Sequence, residues 1–138
     1  MRDIKYIVLH CTATQPSATV ESIQNYWKNV LHWKMPGYHY IISANGGVKQ
    51  LATEDQVTNG VSGFNQHSIH ISYVGGIDRS GKPEDTRTPL QLAAMSRLVK
   101  QLHRRYPTAI IQGHRDFPHV AKACPSFEVS EWIKNINL

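Results

Sequence analysis

The sequence predicts a single α/β domain in which helices flank a mixed central β-sheet. Its length of 138 residues suits one domain and leaves little room for a second. Short segments rich in β-branched residues alternate with segments that carry apolar residues at helical spacing. A hairpin signal at residues 45–47 joins two of the strands directly, so the whole pattern is typical of one mixed sheet covered by helices.

The first half of the chain predicts three strands and one helix. The strand segments are rich in β-branched, aliphatic and aromatic residues, and they cover residues 4–9, 38–43 and 48–51. The first of them ends directly before His10. Apolar residues spaced three and four apart predict a helix over residues 19–32, and the breakers at residues 35–37 follow it.

The second half predicts two more strands and two helices. The strands cover residues 68–74 and 109–112. Thr88, Pro89 and Gln91 form a strong helix start, because threonine caps the helix, proline suits its first turn and glutamine can close a capping box. This long amphipathic helix is predicted to stop at Pro107, and a last helix is predicted over residues 128–135.

Composition and charge limit the functional classes. The net charge of +5 and the pI of about 9.4 favour an anionic partner, such as nucleic acid, a membrane surface or an anionic wall polymer. Apolar runs are far shorter than the roughly 20 residues that span a bilayer. The N-terminus has no apolar segment of signal-peptide length. We therefore expect synthesis in the cytoplasm, and any action on a cell wall would require release or export by another route.

Two predicted strands lead into a histidine, His10 and His114, and functional residues collect at strand ends in such sheets. Cys124 lies in a loop between two prolines. Two imidazoles and one thiolate make a three-ligand zinc set, which leaves a fourth position for water, as in catalytic sites. The residues alone also allow separate core or surface histidines and a core cysteine. Cys11 follows His10 directly, so strand alternation predicts that it faces the core.

Two further residues could take part in hydrolysis. Lys122 precedes Cys124 by two positions, so in an extended segment both side chains point the same way, and the cation could stabilise a developing oxyanion. Tyr38 opens a predicted strand, and a phenol near a metal can hold or transfer a proton. A solvated lysine and a half-buried strand tyrosine are the alternatives.

Five segments, taken together and in order, resemble the zinc-dependent N-acetylmuramoyl-L-alanine amidases of the amidase-type phage lysozyme and peptidoglycan recognition protein family. They cover residues 8–14, 37–42, 68–78, 113–116 and 122–127. The resemblance implies the family's mixed sheet with flanking helices. It also implies zinc (Zn²⁺) held by His10, His114 and Cys124, with Tyr38 and Lys122 as catalytic residues.

The resemblance implies hydrolysis of the amide bond between N-acetylmuramic acid and L-alanine in peptidoglycan. The expected partner is peptidoglycan or a muropeptide, bound by a monomer, and neither nucleic acid nor a membrane is expected. Three alternatives are a non-catalytic muropeptide-binding module, a cysteine hydrolase that uses Cys124, and a nucleic-acid binder suggested only by charge. The complete set of ligands and catalytic residues favours the enzyme.

The remaining polar residues receive more modest interpretations. Asp116 could hydrogen-bond a metal-binding side chain, and His119 could line the cleft. His39 and His70 are predicted to be hydrogen-bonded sheet residues. The loop at residues 59–65 departs from some phage members, which carry a histidine just before the Gly-aromatic-Asn element.

Overall fold

Five strands form one mixed sheet in the computed structural model, which describes residues 2–138. The strands are β1 (Tyr6–Cys11), β2 (Tyr40–Ile42), β3 (Val48–Gln50), β4 (Ser68–Tyr73) and β5 (Ile110–Gly113). Their order across the sheet is β3-β2-β4-β1-β5. The β2–β3 hairpin is antiparallel and the other pairs are parallel. The predicted fold class, a mixed sheet flanked by helices, is confirmed.

Helices cover both faces of this sheet. They are α1 (Val20–Asn25), which continues into a π-helical turn at Tyr26–Val30, α2 (Pro89–Arg105) and α3 (Val129–Ile133). The predicted capping box of α2 is present, because the Thr88 hydroxyl accepts from the Gln91 amide and the Gln91 side chain accepts from the Thr88 amide. Among the described residues, no helix has the length and apolar character needed to cross a membrane.

Side-chain alternation gives the central strands two different faces. Ile7, Leu9 and Cys11 of β1 join the main core beneath α2 and α3, as predicted for Cys11. Val8 and His10 point to the opposite face. In β4 this second face consists of Ser68, His70 and Ser72, all fully buried. A buried face made of polar side chains needs internal hydrogen-bond partners, so it marks the functional side of the sheet.

The element boundaries differ from the predicted ones for identifiable reasons. The first strand runs two residues beyond position 9, through Cys11, because its parallel pairing with β4 continues as far as Tyr73. The first helix changes to π-type hydrogen bonding, with the Leu31 amide donating to the Tyr26 carbonyl at 3.1 Å. The helix predicted at residues 128–135 is shorter, spanning Val129–Ile133. Strand pairing and tertiary packing determine where these strands and helices begin and end, and a local sequence pattern contains neither.

His39 is a fully buried histidine whose hydrogen bonds require the neutral ring. Its Nδ1 accepts the backbone N–H of His70 at 3.0 Å, and its Nε2 donates to the Gln56 carbonyl at 2.7 Å. Burial lowers the pKa of His39 from the usual 6.5 to about 4. The predicted hydrogen bonds are present, but His39 lies one residue before β2 and not within the strand.

We expect the stability of the metal-free protein to fall as the pH drops from about 6.5 to about 4, in part through His39. In this window the unfolded chain binds a proton that folded His39 does not, which lowers the free energy of unfolding by up to about 1.4 kcal/mol per pH unit. Urea unfolding in EDTA at a series of pH values measures the slope of the free energy of unfolding against pH. His39→Gln should give a shallower slope than the wild type, and equal slopes would contradict the lowered pKa of His39.

Candidate active site

Three side chains that could hold a metal ion meet at the carboxyl ends of β1 and β5. The ligand atoms of His10, His114 and Cys124 all lie within 4.8 Å of one another. His10 Nδ1 lies 3.8 Å from Cys124 Sγ. Zinc at typical bond lengths holds a nitrogen and a thiolate sulfur about 3.6 Å apart at a tetrahedral angle. The donor set and its spacing therefore fit a zinc ion.

The sheet register explains why two histidines separated by about a hundred residues become neighbours. In the parallel pairing of β1 with β5, Leu9 lies opposite Gly113. His10 and His114 are the next residues along the chain, His114 directly after the end of β5, and their ring centroids are 4.9 Å apart. The convergence predicted from strand ends thus follows from β1 and β5 being adjacent.

Cys124 reaches the same place from a loop that is tied to the sheet. Its carbonyl accepts the Arg115 amide at 2.9 Å, and the Tyr73 hydroxyl donates to the Pro125 carbonyl at 2.6 Å. The Cys11 amide donates to Cys124 Sγ at 3.2 Å, a contact that favours the thiolate. A hydrogen bond with the neighbouring Cys11 thiol, together with burial, raises the pKa of Cys124.

Both imidazoles of the cluster are neutral at neutral pH, as metal ligation requires. Burial is the main cause, and it lowers the pKa of His10 well below 6.5 and that of His114 to about 4. The positive charge of Lys122 lowers both pKa values further. Two neutral rings with free lone pairs are therefore available to a cation near pH 7.

Tyr38 lies beside this cluster. Its ring centroid is 5.0 Å from that of His10, and its hydroxyl donates to the Cys11 carbonyl at 3.3 Å. Burial is the largest cause that raises the pKa of Tyr38, and the nearby Cys124 raises it further. The phenol therefore keeps its proton at neutral pH, and in this structure the Cys11 carbonyl accepts its hydrogen bond beside the cluster.

Lys122, Asp116 and His119 take three different positions. Lys122 is exposed and lines the cleft, where its ammonium can approach a bound substrate. His119 is also exposed on the cleft wall. The Asp116 carboxylate accepts the Gly113 amide at 2.8 Å, so it holds the turn that presents His114 through the backbone.

The cluster opens into a cleft of about 730 Å³, a size that admits a substrate segment. One wall carries Trp27 and Trp33, whose rings stack with centroids 6.3 Å apart. The lining also includes residues from 59 to 64, which belong to the loop that departs from some phage members. The sequence pattern identified Trp27 only as a helical core position. In the folded chain Trp27 packs against Gly37, where a Cβ would lie 3.1 Å from its ring, and no local sequence pattern shows this contact.

Comparisons with known proteins agree with this fold and identify a family. Residues 1–127 match the family model described as N-acetylmuramoyl-L-alanine amidase. The endolysin of Enterobacteria phage K11 is 37% identical, over 91% of this chain and 83% of its own length. The solved endolysin of a Thermus scotoductus bacteriophage is 25% identical, with a TM-score of 0.81 over 97% of this chain and 85% of that one.

A further solved structure supports the fold alone. The N-acetylmuramoyl-L-alanine amidase LysC from Clostridium intestinale superposes with a TM-score of 0.83 at 23% identity, covering 99% of this chain and 87% of that one. The family match spans all five strands together with α1 and α2, and it includes the three residues of the cluster. This chain belongs to the N-acetylmuramoyl-L-alanine amidase family.

Proposed function

We propose that this protein is a zinc-dependent amidase that hydrolyses the bond between the lactyl group of N-acetylmuramic acid and L-alanine in peptidoglycan. The observation that carries the proposal is the cluster of His10, His114 and Cys124 in the wall of an open cleft. Three protein ligands are typical of catalytic zinc, whereas structural zinc is normally closed by four. The family match and the endolysin relatives support the same reaction.

The chain's own residues divide the remaining chemistry between them. Zinc, when bound, would supply Lewis-acid chemistry, making water acidic near neutral pH and polarising a carbonyl. Lys122 carries a full positive charge at the cleft and would stabilise the oxyanion that develops on the substrate amide. Tyr38 is held protonated 5.0 Å from the His10 ring and would orient the scissile group or hold a proton for the leaving nitrogen.

The cleft has features that suit a muropeptide. The partly exposed Trp33 ring, backed by the buried Trp27 ring, offers apolar surface to a sugar face or a peptide stem. Lys122 and the net charge of +5 favour a substrate that carries carboxylates. The substrate class therefore agrees with both the aromatic wall and the charge of the protein.

We also propose that residues 1–138 act as one amidase domain and that the working unit is a monomer. The three cluster residues, Tyr38 and Lys122 all come from a single chain and already converge in its cleft. A second copy is not needed to complete the site. The site of action would be the cell wall.

Product analysis tests the proposed reaction. Purified wall digested by the protein should release stem peptides that begin with L-alanine, while the glycan strands stay intact, and mass spectrometry identifies both products. New reducing ends on the glycan would indicate a glycosidase and contradict the proposal. Muropeptide binding without peptide release would favour a non-catalytic binding module.

A further inference from the structure

A chain of hydrogen bonds leads from the Val61 backbone amide to Nε2 of His10, the ring nitrogen that does not face Cys124. His10 Nε2 lies 2.8 Å from His70 Nδ1, and His70 Nε2 lies 2.8 Å from Asn65 Oδ1. Asn65 Oδ1 also accepts the backbone N–H of Val61 at 2.8 Å. His10 and His70 are 1% and 0% exposed, so water does not compete for the hydrogen bond between them.

The donor and acceptor of every hydrogen bond in this series follow from the Val61 backbone N–H, which begins it. A backbone N–H can only donate, so the Asn65 atom that meets Val61 must be the carbonyl oxygen, an acceptor. His70 Nε2 must then carry a proton. A fully buried imidazole without a carboxylate partner is neutral, which leaves His70 Nδ1 as an acceptor. His10 Nε2 must therefore donate, and the lone pair of His10 is left on Nδ1, the atom 3.8 Å from Cys124 Sγ.

The His70 ring is confined to this one position. A Cβ on Gly60 would lie 2.3 Å from His70 Nδ1, so the ring occupies space that only glycine leaves open. The backbone of His70 is fixed in turn by its bond to His39 Nδ1 at 3.0 Å. The loop at residues 59–65 carries no histidine of its own, and the imidazole that packs against Gly60 and Asn65 comes from β4.

We propose that His70, held by Asn65, is a positioning residue that fixes His10 in the Nε2–H tautomer and directs Nδ1 toward the metal. The inference rests on the metal site of the proposed function. Partners of this kind set the tautomer and orientation of a ligating histidine, and their loss typically costs 10–100-fold in metal affinity. His70 acts through His10 and has no assigned contact with the substrate.

The tautomer can be read without metal or activity. In the ¹⁵N-labelled, EDTA-treated protein at pH 7.5, long-range ¹H–¹⁵N spectra should show His10 with a protonated Nε2 and an unprotonated Nδ1. A His10 ring protonated at Nδ1 would overturn the proposal. If the predicted tautomer is present but the protein binds no zinc, the hydrogen-bond order is supported and the proposed function is contradicted.

Variants test whether His70 causes the Nε2–H tautomer of His10. His70→Phe keeps a ring in place but removes both side-chain hydrogen bonds of His70. Asn65→Ala removes only the partner of His70 Nε2, and it serves as the test if His70→Phe does not fold. Each should give His10 a mixture of tautomers and weaken zinc binding about 10–100-fold in a chelator competition assay. Ser68→Ala is the matched control, since it removes a buried hydrogen bond from the same strand to the Phe64 carbonyl. It should leave tautomer and affinity unchanged. Unaltered tautomer and affinity in the folded His70 and Asn65 variants would overturn the proposal.

Discussion

Replacing Cys124 by serine is expected to remove stoichiometric zinc and to reduce wall hydrolysis to background. The substitution takes away the one thiolate of the cluster and leaves two imidazoles, a set that binds zinc more weakly. The loss of affinity should exceed the 10–100-fold typical of losing an outer hydrogen-bond partner. The fold should survive, because the Tyr73–Pro125 and Arg115–Cys124 hydrogen bonds of this loop use backbone carbonyls.

Cys11→Ala is the matched control for this experiment. Cys11 is the other cysteine of the chain, and its side chain faces the main core. Its backbone contacts with Cys124 and Tyr38 persist in the alanine variant, and the lost thiol contact is one that raises the pKa of Cys124, so its loss does not oppose metal binding. Metal analysis should find one zinc per chain in Cys11→Ala and much less in Cys124→Ser. A Cys124→Ser protein that retains zinc and wild-type hydrolysis would contradict the assigned metal ligand.

Replacing Lys122 by methionine is expected to lower kcat on a soluble muropeptide by about 10²–10³-fold, the range for losing one oxyanion-stabilising group. Methionine keeps the length of the side chain but removes its charge. Zinc content should be unchanged, since Lys122 lies outside the cluster of ligand atoms. The loss should therefore appear in kcat and not in the metal content.

Two further variants make the Lys122 result specific. Lys134→Met removes an exposed lysine, paired with Glu131 on α3, and should leave kcat unchanged. Lys122→Arg keeps the charge and should recover part of the activity. A Lys122→Met enzyme whose lost activity is matched by lost zinc would show that the lysine acts on the metal site, in conflict with a role in oxyanion stabilisation.

The fold and the family were predictable from local signals that tertiary structure reinforces. The capping box at Thr88 and the hairpin at residues 45–47 depend on contacts within a few residues, so both appear where they were predicted. The ordered motifs predicted the family, which the match over residues 1–127 confirms. The ends of β1 and α1 depend on pairing with β4 and on packing, and a short sequence window contains neither.

The site was only partly predictable, because its geometry comes from contacts between distant segments. His10 and His114 each follow a strand, but only the β1–β5 register makes them neighbours. The role of His70 needed knowledge of Gly60 and Asn65, which come within reach when their loop packs on β4. One signal was present in the sequence: Ser68, His70 and Ser72 alternate with apolar residues, so one face of a central strand is polar.

Zinc titration of the metal-free enzyme tests the central claim most directly. Wall hydrolysis should be absent after EDTA treatment and removal of the chelator, and it should rise in proportion to added zinc until one equivalent per chain is bound. Full hydrolysis by protein that metal analysis shows to be free of zinc and of other divalent ions would contradict a metal-dependent amidase built on His10, His114 and Cys124.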